Sequence, residues 1–169
     1  MKLLLEKALH LRTLYVDQIR QMLSAEEQIA DGLAALERAV ADEQLRQTFQ
    51  SHVHDGQVHI ARLQTILNHT EGKSERKKCK SVSALLGEAE DMVDGTDKGP
   101  IRDAALVSAA QRIGHYQIAV YGALRDYAQL LELKGDAEAF DRTIKEERHT
   151  GAVLTGISGR INHAAFQLG

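Results

Sequence analysis

The stretch GKSERKKCKSVSALLGEAEDMVDGTDKGP, residues 72–100, separates two long helical patterns and is too long for a hairpin turn. Within it, Val82, Leu85, Leu86, Ala89, Met92 and Val93 recur at steps of three and four, which predicts a short helix over 82–93. GTDKGP (95–100) ends that helix, and Pro100 suits the first position of the next one, where its missing N–H is not needed. At the other end, Gly72 and the basic run Lys73, Arg76, Lys77, Lys78 and Lys80 stop the preceding helix and read as a solvated loop. Cys79 is the only cysteine, so there is no internal disulfide framework; it reads as a small apolar packing group in a reducing cytosol.

On either side of this link lie two helical pairs. A first helix is predicted over about residues 3–40, with the core line Leu4, Ala8, Leu11, Tyr15, Ile19, Met22, Glu26, Ile29, Leu33, Leu36 and Val40. Asp42 can cap the next helix, predicted over 43–69 with the line Leu45, Phe49, Val53, Ile60, Leu63 and Leu67. A third long helix runs over 100–134 through Leu106, Ala110, Ile113, Gln117, Val120, Leu124, Ala128 and Leu131. Gly135 and Asp136 read as a stop followed by an N-cap, and the last helix, to about 166, follows Phe140, Ile144, Glu147, Gly151, Leu154, Ser158, Ile161 and Ala165. Two short links and one long one give two antiparallel hairpins joined by a crossover. The expected fold is all-α, a ferritin-like four-helix bundle with a short fifth helix in the crossover, forming one domain over 1–169.

Composition agrees. The 169 residues are 43% hydrophobic and 27% charged, with one proline and no tryptophan, as a helical globular chain requires. A net charge of −3 gives no basic surface for nucleic acid. No uncharged stretch reaches the roughly 18 residues a membrane span needs. The opening MKLLLEKALHLRT is interrupted by Glu6, Lys7, His10 and Arg12, so it does not read as a signal peptide, and a cytoplasmic protein is expected.

Each long pattern is broken near its middle. Glu26 breaks the first, His52, Asp55 and His59 the second, Gln117 the third and Glu147 the fourth. Gly114, also in the third helix, costs about 1 kcal/mol relative to alanine. Buried carboxylates are costly unless paired, hydrogen-bonded or bound to a cation, so bundle cores that gather Glu and His commonly hold metal. Oxygen ligands with imidazole suit iron or manganese, and also zinc. Simpler readings stand beside this one. Glu26 serves as a register device, Glu147 belongs to an acidic stretch with Glu146, and Asp55 and His59 form a hydrogen-bonded pair. His52 is then a core or solvated histidine, and Tyr116 and Tyr121 pack with partners for their hydroxyls.

The segment IRDAALVSAAQRIGHYQIAVYG (101–122) resembles the signature helix of the YciF/YciE-like bacterial stress proteins. SAEEQ (24–28), SHVHDGQVHIARL (51–63), KKCKSVSALLGEAED (77–91) and IKEERHTG (144–151) follow in that family's order and spacing, so the resemblance covers nearly the whole chain. It implies a ferritin-like bundle, mostly dimeric, associated with stress and carrying a rubrerythrin-like two-metal site. Glu26 and Glu147 match family glutamates. Asp55 stands where the family usually has Glu, and His59 where it has Gln or His. Gly114 and Gln117 stand where it usually has Glu, as though two carboxylates had been lost. The metal ligands expected are Glu26, Asp55, His59, Gln117 and Glu147, holding one or two ions of iron or manganese, or none. A homodimer is expected, without nucleic acid or membrane. The competing expectation is a non-catalytic structural or interaction protein whose metal site is lost.

Overall fold

A computed structural model describes residues 11–70 and 77–168 as five helices. These are α1 (Leu11–Glu37), α2 (Glu43–Thr70), α3 (Lys80–Asp94), α4 (Pro100–Leu130) and α5 (Lys134–Phe166). The predicted start of the first helix, with Leu4 and Ala8, and the basic residues Lys73 and Arg76 lie outside the described residues. Four long helices form a bundle in which α1 packs on α2 and α4, and α5 packs on the same two. The short α3 lies over α1 and α4. Among the described residues no helix is long and apolar enough to cross a membrane.

The direction of α4 is fixed by one buried side chain. Asp103, in the first turn of α4 and 3% exposed, accepts hydrogen bonds from the backbone N–H groups of Ala41 (2.9 Å) and Asp42 (2.8 Å) in the α1–α2 turn. Asp42 in turn caps α2 by accepting from the Leu45 N–H at 3.0 Å, and receives Arg160 from the far end of α5. The starts of α2 and α4 and the end of α5 therefore share one end of the bundle. That makes α4 parallel to α2 and requires a crossover rather than a turn between them. Asp103→Ala is expected to cost about 2–3 kcal/mol, because two turn N–H groups lose a charged acceptor; urea denaturation of the two proteins measures it.

Crossover and bundle are fastened at Cys79. Its backbone N–H donates to Ser24 Oγ (3.3 Å), its carbonyl accepts from Gln28 (3.3 Å), and its thiol lies 3.1 Å from the Tyr116 hydroxyl. The packing role expected for this cysteine holds, since it is fully buried. Lys77 and Lys78 are exposed, and α3 begins at Lys80, two residues before the predicted start. Pro100 occupies the first turn of α4 as expected. α3 also approaches α1 closely, for a Cβ on Gly32 would stand 2.5 Å from a Leu86 methyl.

The α4–α5 turn differs from its prediction. α4 ends at Leu130, and the left-handed residue is Glu132 (φ 60°) rather than Gly135. Leu133 N–H bonds to Ala128 O at 2.8 Å and Glu132 N–H to Gln129 O at 3.1 Å, the paired bonds of a Schellman ending. Gly135 and Asp136 are consequently inside α5, where Asp136 accepts the Tyr15 hydroxyl at 2.8 Å. Core lines also shift. On the first predicted line every position from Tyr15 to Val40 is buried, although α1 itself ends at Glu37 and Val40 lies in the turn beyond it. In α2 the inward seam is Leu45, Phe49, His52, Gly56, His59 and Leu63, while Val53 and Ile60 are half-buried beside it. Tyr121 replaces Val120 in α4, and Ile157 replaces Ser158 in α5.

Candidate metal centre

Four of the residues singled out in the sequence meet mid-bundle: Glu26 from α1, His59 from α2, Gln117 from α4 and Glu147 from α5, all at most 1% exposed. Glu26, His59 and Glu147 each offer a ligand atom within 4.8 Å of the other two. His52 joins them as a core histidine. Asp55 does not. It is half-buried and lines a surface groove with Ser51, His149 and Thr150. The α2 seam passes through Gly56 and His59, and residue 55 stands about 100° of helix rotation from Gly56. Gly56 takes the inward place, where a Cβ would be 3.7 Å from Glu26 Oε2.

Gln117 holds the two acids together. Its Nε2 donates to both Glu26 oxygens (3.2 and 3.1 Å) and to Glu147 Oε1 (3.1 Å). That fixes the amide orientation, leaving its oxygen to accept from His52 Nε2 at 3.2 Å. Tyr121 donates its hydroxyl to Glu26 Oε1 at 2.6 Å, and burial together with that carboxylate holds its pKa well above the usual value, so it remains a donor. Tyr121 also packs edge-on to His59 and against Phe140, which walls the layer with aromatic rings.

His59 has two different sides. Its Nε2 lies 3.0 Å from Glu146 Oε2, and Arg62 grips the same carboxylate with both terminal nitrogens, one of them at 2.8 Å from Oε1. The Arg62 guanidinium lowers the pKa of Glu146, so this group is an anion and only accepts; His59 Nε2 must carry the proton. The other nitrogen, Nδ1, lies 3.5 Å from Glu26 Oε1 and 3.4 Å from Glu147 Oε1, yet has no hydrogen-bond partner among the described residues. Metal-binding histidines are commonly oriented in this way, one nitrogen donating to a carboxylate and the other presented to the ion. Sequence reading took Glu146 only as a sign of an acidic stretch, because its pairing with Arg62 depends on the α2–α5 register.

These donors do not fit a two-metal centre, which in bundles of this kind takes four carboxylates and two imidazoles. Among the described residues only Glu26 and Glu147 are carboxylates facing the centre; Gln117 is neutral, Asp55 faces elsewhere and Gly114 has no side chain. They do fit one ion. Two buried acids and the imidazole Nδ1 converge, and neither Nδ1 nor Glu147 Oε2, both buried, has a hydrogen-bond partner among the described residues.

Known proteins agree with this architecture. Residues 10–166 match the family described as a domain of unknown function, DUF892. Protein YciF of Escherichia coli (strain K12) is 34% identical over 145 residues, covering 85% of this chain and 87% of that protein. The crystal structure of YciF, an E. coli stress protein, superposes with a TM-score of 0.87 at 31% identity, over 92% of this chain and 98% of the other. YcfI, a candidate structural protein from Rhodopseudomonas palustris, superposes with a TM-score of 0.83 at 26% identity, over 86% and 93%. A protein from Xanthomonas campestris pv. campestris, 19% identical with a TM-score of 0.78 over 94% and 97%, shares the fold. By the span of the family match and its identity to YciF, this chain belongs to the DUF892 family.

Proposed function

We propose that this protein is a ferritin-like, stress-associated metal-binding protein that holds a single iron or manganese ion through Glu26, His59 Nδ1 and Glu147. The observation that carries this reading is the convergence of these three buried groups on an imidazole nitrogen that has no hydrogen-bond partner among the described residues. An ion there would supply a redox-active or Lewis-acidic centre. The chain's own residues would orient His59 through Glu146, hold Glu26 through Tyr121 and Gln117, and shield the layer from water. Metal analysis of protein purified without chelator or added metal tests it: about one ion per chain supports the proposal, and a metal-free protein that takes up neither ferrous nor manganous ion at micromolar concentration defeats it.

One observation favours a second reading, a non-catalytic bundle with a polar layer. The Gln117 amide already bonds both carboxylates, as a cation otherwise would. The two readings separate in their pH dependence. Burial pushes the His59 pKa down, but Glu26, then Glu147 and Glu146, outweigh it and raise the pKa above 6.5. His52 is raised in the same sense, with Glu147 and Glu26 overcoming burial. A histidine with a raised folded pKa adds stability that is complete below about pH 6.5 and is lost as pH rises through the folded value. The metal-free protein should therefore weaken as pH rises through that window. An ion must displace the His59 proton, so its affinity should rise about tenfold per pH unit for each proton released. Calorimetric titration at several pH values measures both trends; a metal affinity that ignores pH across this window places the ion elsewhere.

A homodimer belongs to the same proposal. Apolar residues off the four predicted core lines add little to it, since Leu3 and Leu5 lie outside the described residues, Ile157 is core and Ile118 packs half-buried against the core. Support rests on the resemblance and on exposed apolar side chains such as Leu130 and Phe166. Light scattering at micromolar concentration decides it.

A further inference from the structure

Between α4 and α5 lies a cavity of about 450 Å³, walled by small or apolar residues that include Ala110, Gly114, Ile118, Gly151, Ala152 and Leu154. That volume is within the range of small-molecule sites. It reaches the polar layer, where His52 and Glu147 complete its lining. The two oxygens of Glu147 have different surroundings. Oε1 accepts from Gln117, whereas Oε2 is buried with no hydrogen-bond partner among the described residues. His52 Nε2 stands 3.3 Å from Oε2, but its hydrogen bond goes to Gln117. A Cβ on Gly114 would be 3.9 Å from Oε2, so the absent side chain leaves this oxygen facing the cavity.

Oε2 has His52 beside it as an ion-pair neighbour but no aligned donor, and an apolar cavity ending on such an oxygen favours a ligand that brings one. Charge narrows the class. Glu147 and Glu26 oppose an anion at the inner end, while the Arg148 guanidinium on the lining disfavours a cation. We propose that this cavity binds a neutral, compact apolar molecule carrying one O–H or N–H donor, of the phenol or indole class, with its donor on Glu147 Oε2. The proposal does not depend on metal, and its test uses the metal-free protein, so its failure leaves the metal reading intact.

Nuclear magnetic resonance titration with phenol, toluene and benzoate separates the contributions. Phenol is expected to shift the amide signals of Gly114 and Gly151 and to bind about tenfold more tightly than toluene, the value of one well-placed hydrogen bond. Benzoate should not bind. A Cβ on Gly151 meets no atom within 4 Å, so Gly151→Leu should fill the cavity, keep the helical circular dichroism and abolish phenol binding. Gly114→Ala, a smaller change beside Oε2, should weaken phenol binding and serves if Gly151→Leu fails to fold. Equal affinity for phenol and toluene, undiminished phenol binding in a folded Gly151→Leu protein, or no response to phenol at millimolar concentration overturns the proposal.

Discussion

Gln117→Glu, alone or with Gly114→Glu, is expected to destabilise the metal-free protein severely and make its stability depend on metal. In the parent, Gln117 donates to Glu26 and Glu147 at 3.1–3.2 Å. A glutamate of the same shape turns those contacts into oxygen facing oxygen, with three carboxylates in one buried layer. Breaking a buried polar pairing in this way costs on the order of 3–5 kcal/mol. At this chain length each kcal/mol moves the melting temperature by about 2–4 °C, so a fall of about 10 °C or more is expected. Gly114→Glu adds to it, because its Cβ already stands 3.9 Å from Glu147 Oε2. A cation that binds only the folded protein returns about 3 kcal/mol at a hundred times its Kd. Ferrous or manganous ion should thus raise the melting temperature of the variant far more than that of the parent, whose amide already occupies the bridging role. Equal metal-induced shifts in parent and variant would mean that positions 114 and 117 face no metal site. Destabilisation indifferent to metal would favour the polar-layer reading.

What the sequence revealed, and what it hid, follows from hydropathy along each seam. In α1 the seam is apolar except at Glu26, so the three-and-four spacing placed that acid correctly in the core. The α2 seam carries two histidines and a glycine. Its hydropathy is low there, and the pattern drifts onto Val53 and Ile60, one step off. That step, together with the family match at position 55, is why Asp55 read as a ligand and why Gly56 went unnoticed opposite Glu26. The α4–α5 turn was obscured differently. A left-handed helix end normally selects glycine, and here the exposed Glu132 takes that conformation within the paired backbone hydrogen bonds of the turn, so that Gly135 falls in the following helix. Asp103 gave no signal beyond an acid in a first turn; its partners are backbone groups some 60 residues away in sequence. The short and long links, by contrast, were plain from composition, and they alone imply the crossover bundle.

Glu146→Leu is expected to lower metal affinity by about 10–100-fold and to cost about 1–3 kcal/mol of stability, because the buried His59 Nε2–H loses its acceptor; Arg62→Ala, which leaves that acceptor in place, should lower affinity more weakly and leave stability nearly unchanged. The reason lies in the order of contacts. Arg62 fixes Glu146 and keeps it anionic, and Glu146 accepts the His59 Nε2 proton at 3.0 Å. That interaction leaves Nδ1 as the nitrogen facing Glu26 and Glu147. Without the acid the imidazole loses its orientation, and the anion that strengthens it as a ligand is gone. The Arg62–Glu146 pair is 23% and 38% exposed, so its direct worth to the fold is at most about 1 kcal/mol after solvent screening. Affinity and melting temperature therefore separate the two roles. Competition of each variant against a calibrated metal buffer gives the affinity, and thermal melts without metal give the stability. If Glu146→Leu changes affinity less than twofold, or Arg62→Ala lowers the metal-free melting temperature while leaving affinity unchanged, then Glu146 is a surface ion-pair residue and His59 is not held for a metal.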